Sequence, residues 1–141
     1  MRRDAGSIGA FIEALDRKMR AGRRQGAPFS VVVLATQPGI LPGERRKLAH
    51  WGELVLRNHA PPGAAVACDP ARSSCLLLVP DMDEEAAGEV ARYFGEQLNK
   101  LPVFGVAPGG GWVWDYATFP DHLDGLRALR DSLMAEPDHA D

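Results

Sequence analysis

The two cysteines, four histidines and nineteen acidic residues of this 141-residue chain are the groups from which a reactive centre could be built. Cys68 and Cys75 flank a turn-forming stretch, Asp69-Pro70-Ala71-Arg72-Ser73-Ser74, and so could face one another across two strands. No metal-ligand spacing links them to His50, His59, His122 or His139. The plain reading is a pair of reduced, half-buried thiols in a cytosolic protein; a redox pair is the sharper alternative. Ser73, Ser74 and His59 fall in no recognisable nucleophile motif. Gly109-Gly110-Gly111 lacks the Lys-Ser/Thr and the following helix of a phosphate loop, and Trp112-Val113-Trp114 continues it as a strand. Asp81, Asp83, Glu84 and Glu85 stand where a helix begins, and acids there complement the helix dipole without needing a cation. His50 reads as exposed, beside a packed Trp51.

Two further groups bear on binding. The basic residues Arg17-Lys18, Arg20, Arg23-Arg24 and Arg45-Arg46-Lys47 sit on expected helices and read first as solvated faces. Trp112 and Trp114 are two apart, so on one strand they share a face. A helix over that face would make them core; an open face would make them an aromatic patch of the kind that marks a protein interface.

The elements that must position these residues are legible from periodicity. Ile8, Phe11, Ile12, Leu15 and Met19 trace one side of a helix closed by Gly22 or Gly26. Pro28 to Ala35 is a continuously apolar, β-branched run, the mark of a central strand buried on both faces. Pro42 opens a second helix, with Leu48, Trp51, Leu54 and Val55 to one side, ending near His59. Ala64–Cys68 and Cys75–Val79 form a hairpin. A third helix carries Ala87, Val90, Ala91, Phe94 and Leu98. Strands over Pro102–Ala107 and Trp112–Ala117 precede a last helix through Leu123, Leu126, Leu129 or Arg130, and Leu133. This order predicts one α+β domain over residues 1–141, a mostly antiparallel sheet with helices on its faces and a frayed polar tail from 136 to 141.

Composition agrees: 45% hydrophobic and 25% charged residues are ordinary for a soluble globular domain. No apolar run approaches a membrane span, and no signal-peptide pattern follows the charged N-terminus. A net charge of -3 offers no case for nucleic acid or anionic membrane, so the expected location is the cytoplasm.

Several phrases, in this order, resemble the GGDEF (diguanylate cyclase) family from about Phe11 to Met134. Met19-Arg20-Ala21-Gly22-Arg23-Arg24-Gln25-Gly26 resembles the family's lead-in to its first strand, and Pro28 to Leu34 that strand. Gly52-Glu53-Leu54-Val55-Leu56-Arg57 is similar to the "GD-x-x-L-R" helix segment, with Glu for Asp. Leu76 to Pro80 followed by Asp81 to Ala86 resembles the strand and helix start after the signature loop. Tyr116 to Pro120 resembles the late strand, and Arg130 to Met134 the final helix. The resemblance implies a nucleotidyl-cyclase palm with a ferredoxin-like βαββαβ core.

It also implies what has been lost. Such cyclases hold Mg²⁺ and a triphosphate with carboxylates from the end of the first strand and from the signature loop. The first place reads Leu34-Ala35-Thr36-Gln37, without an acid. The signature falls on Ala71-Arg72-Ser73-Ser74-Cys75, with Ser73 and Ser74 at the acidic pair and Arg72 at a glycine position. The guanine-contacting pair falls near Glu44 and Arg45, and the inhibitory Arg-x-x-Asp on Pro62-Gly63-Ala64-Ala65. The expectation is a catalytically inactive GGDEF-like signalling module with no cofactor and no metal. It would act through protein partners or a homodimer, in a bacterial context linked to cyclic di-GMP. The alternative is a nucleotide sensor without turnover, in which Arg72, Arg45, Arg46 and Lys47 collect an anion.

Overall fold

A computed structural model describes residues 2–36, 42–69, 74–100 and 112–135. Eight elements follow in the order α1 (Arg2–Gln25), β1 (Phe29–Thr36), α2 (Pro42–His59), β2 (Ala65–Asp69), β3 (Ser74–Pro80), α3 (Glu84–Asn99), β4 (Trp112–Phe119) and α4 (Leu123–Met134). The four strands form one antiparallel sheet in the order β2-β3-β1-β4. From β1 to β4 this is the βαββαβ connectivity with β1 and β3 at the centre, the α+β arrangement expected from the sequence. The expected strand at 102–107, the glycine loop and the tail at 136–141 lie outside the described residues.

β1 is central because its sequence leaves it no polar face. Val32 and Leu34 point to one side; Phe29 and Val31 point to the other, and all four are buried. Alternation along β3 does the same: Cys75, Leu77 and Val79 join one core, Leu76 and Leu78 the other. α2 and α3 cover the first side; α1 and α4 cover the second. Each fully buried Leu, Phe or Val contributes roughly 1.5–3 kcal/mol of apolar transfer, so the two layers hold the sheet from both sides.

α1 runs on to Gln25, and Gly26 at φ 72° closes it, its N–H bonded to Gly22 O at 2.7 Å. Asp83 caps α3 by accepting from Ala86 N at 2.9 Å. One polar cluster lies inside the sheet. Ser30 Oγ donates to Met82 O at 2.9 Å, and the hydroxyl of Thr118 meets Ser30 Oγ at 2.7 Å. Since Ser30 has a single proton, Thr118 must donate to it. The chain leading into α3 is thereby tied to β1 and β4.

The buried stripe of α2 differs from the expectation. Leu48, Ala49, Gly52 and Leu56 face the sheet, while Trp51 is 50% and Leu54 40% exposed. The reason is Gly52: a Cβ there would come 2.8 Å from both Cys75 Sγ and Trp112 Cη2. Its bare backbone lets α2 sit close on the sheet along that line, and this turns Trp51 outward. His50 is exposed, as expected.

Candidate functional site

The ends of β1 and of the β2–β3 hairpin form the platform on which the signature residues fall. Ser74 pairs with Ala35 of β1 on one side and with Asp69 of β2 on the other. Cys75 pairs likewise with Leu34 and Cys68. The structure thus brings Ser74 and Cys75 to the end of β1 and buries both. Ala71, Arg72 and Ser73 lie outside the described residues, as does Gln37. Arg45, Arg46 and Lys47 follow one another early in α2, where Arg46 and Lys47 are exposed; the side chain of Arg45 is not among those described.

Sequence reasoning passed over Asp69. It is the last residue of β2, only 5% exposed, and the one acid in β1, β2 or β3. Its place immediately before Pro70 at the hairpin tip was the signal available. A single carboxylate at a strand end cannot supply the set of ligands that two metal ions on a triphosphate require. Among the described residues no three His, Cys, Asp or Glu side chains converge as a metal site. The hydroxyl of Thr36, at the end of β1, is buried without a hydrogen-bond partner among the described residues.

Cys68 and Cys75 are free thiols on directly opposed residues, so the facing arrangement expected from the turn is present. Both point into the α2 layer, where Ala49 O lies 3.3 Å from Cys75 Sγ and 3.7 Å from Cys68 Sγ. Hydrogen bonding with Cys68, then burial, push the Cys75 thiol far above the usual range. Both thiols are buried in the core, and a thiol held protonated is a poor nucleophile.

The tryptophan pair divides. Trp112 is 2% exposed, packed among α2 and α3 residues, so it is core and cannot serve as an interface residue. Its N–H has no partner among the described residues, but Asn99 Oδ1 receives the Trp112 main-chain N–H at 3.0 Å. Trp114, on the same face, lies against Gly95 of α3 and stays 37% exposed on β4, the edge strand of the sheet. Of the two, Trp114 alone presents indole surface, and Trp51 and Leu54 of α2 add more, three residues apart on one helix face.

Comparison with known proteins supports the fold. The structure is similar to that of a sensory box/GGDEF family protein from Caulobacter crescentus CB15, with a TM-score of 0.56 and 15% identity over 86% of this chain and 83% of that one. The likeness shows a GGDEF-like α+β fold. No protein-family model matches the chain, and no curated protein matches its sequence. No described helix is long and apolar enough to cross a membrane.

Proposed function

We propose that this chain is a GGDEF-like module that does not turn over nucleotide and works through protein–protein contact, as a scaffold or regulator in a cyclic di-GMP-linked bacterial pathway. The observation that carries the reading is the composition of the strand-end platform. Residues 34–41 hold no acid, residues 70–75 hold none, and Asp69 is the sole carboxylate of the three strands that meet there. Stabilising the charge on a transferring phosphoryl group needs fixed cations, and those cations need carboxylate ligands. The cores that hold the sheet are complete, so the scaffold outlives the chemistry. Exposed Trp51, Leu54 and Trp114 supply the kind of surface that partners bury.

The test has two arms. Incubation with GTP and Mg²⁺ or Mn²⁺ should give no cyclic dinucleotide; formation of product sinks the non-catalytic half. Solution mass across concentration, together with a pull-down, should show self-association or a partner that Trp51→Glu weakens. A chain that stays monomeric and recovers nothing removes the interaction half.

The nucleotide-sensor reading draws support from the exposed Arg46 and Lys47 at the start of α2. It requires calorimetric heat with GTP plus Mg²⁺ or with cyclic di-GMP, lost on Arg72→Glu.

A further inference from the structure

The helix layer opposite α2 and α3 carries a different charged feature. Along α1, Asp16, Met19, Arg20 and Arg23 recur at three- and four-residue steps, so they share one face. Along α4, Arg127, Arg130 and Asp131 do the same. α1 and α4 pack side by side, and these seven residues line one cleft of about 350 Å³ between them. Four guanidinium groups meet two carboxylates there, leaving two cationic charges in excess in a chain whose net charge is -3.

The carboxylates do not neutralise the cleft evenly. Both bond or pair directly with Arg130, and Asp16 reaches Arg20 only through its charge. Asp16 takes two N–H bonds from it, Nε to Oδ1 and Nη2 to Oδ2 at 3.0 Å, and Asp131 lies 3.7 Å from Nη1. Arg130 is thereby fixed in orientation, its guanidinium bound across the two helices. Arg20, Arg23 and Arg127 form no salt bridge or side-chain hydrogen bond with another described residue, and all three are exposed. Buried Met19 is the one apolar residue of the lining. Like charges gathered in one concave site repel one another, and an anion that accepts from several guanidinium forks relieves that repulsion. The volume falls within the ~300–1,000 Å³ usual for small-molecule sites.

We infer that the α1–α4 cleft is a binding site for a small phosphorylated ligand carrying at least two negative charges, held by Arg20, Arg23 and Arg127 with Arg130 locked in place by Asp16. Planar guanidinium forks match phosphate oxygens two at a time, which an equal number of lysines would not do. The site uses none of the signature-hairpin residues, so it stands or falls apart from the function proposed above.

Inorganic pyrophosphate is the probe, titrated calorimetrically into the purified chain at low salt. Binding should weaken as salt rises, because the contact is ionic. Arg20→Gln with Arg127→Gln, two exposed changes checked for folding by circular dichroism, should weaken it by about tenfold or more. Arg46→Gln with Lys47→Gln on α2 should leave it unchanged. GTP binding tighter than pyrophosphate, and equally lost in the Arg20/Arg127 variant, would extend the ligand to a nucleotide. No heat up to about 10 mM pyrophosphate, a Kd above any specific site, or binding lost in the α2 variant and kept in the α1–α4 variant, would overturn the assignment.

Discussion

Trp114 of β4 occupies the space that a side chain on Gly95 of α3 would need: a Cβ at Gly95 would fall 1.9 Å from Trp114 Cε3. The contact sets how closely α3 approaches β4, and it is the reason the indole is half covered rather than free. Gly95→Ala must therefore move the indole. Because Trp114 already borders solvent, it can swing outward, and the expected loss is about 1–3 kcal/mol rather than unfolding. Chemical denaturation measures the loss, and tryptophan fluorescence of the variant should shift to the red. An unchanged spectrum with unchanged stability would mean that α3 stands further from the sheet.

Ser30 and Thr118 predict a comparable effect from the loss of a single oxygen. Removing the Ser30 hydroxyl by Ser30→Ala strands the buried Thr118 hydroxyl without its acceptor and Met82 O without its donor. Leaving buried polar groups unsatisfied costs about 1–3 kcal/mol. The denaturation midpoint should fall accordingly.

The Asp16–Arg130 pair predicts a pH dependence with a definite sign. The hydrogen bond from Arg130, and after it the charges of Arg130 and Arg20, hold the Asp16 carboxyl below its ordinary value of 3.8; burial opposes them. A carboxylate with a lowered folded-state pKa stabilises the protein above the unfolded pKa and ceases to do so as pH falls through the folded one. Asp16→Asn should thus cost about 0.5–1 kcal/mol at neutral pH, given a pair that is partly solvated. The gap between the two proteins should close as pH drops below 3.8. A gap that persists in strong acid would place the effect in packing instead.

The two thiols should be chemically silent in the folded protein. With Cys75 held protonated by Cys68 and by burial, an aromatic disulfide reagent should react with the native chain at least about 100-fold more slowly than with the unfolded chain. Equal rates would show that the hairpin opens readily and that the thiols are accessible for redox chemistry.

Much of the scaffold was readable before any coordinates. The β-branched run from Pro28 to Ala35 reads as a strand buried on both faces, and the turn between Cys68 and Cys75 allows those residues to stand opposite each other, as both do. The stripe of α3 held because Ala87, Ala91, Phe94 and Leu98 keep helical spacing without a competing apolar face. α2 has two apolar faces, one through Leu48 and Leu56 and one through Trp51 and Leu54, and periodicity weighted the larger residues. Close approach at Gly52 decided between them, and a glycine's missing side chain registers only when something lies against it.

By itself, then, the sequence determined the strand and helix types, the hairpin, the α+β class and the absence of acids at residues 34–41 and 70–75. These depend on local propensity, alternation and residue identity, which act over a few positions. Tertiary structure alone decided that Trp112 is core while Trp114 is surface, that the buried Asp69 stands beside Ser74, and that arginines more than 100 residues apart share one cleft. Each of those depends on which helix lies over which strand, and that is fixed by packing across the whole sheet.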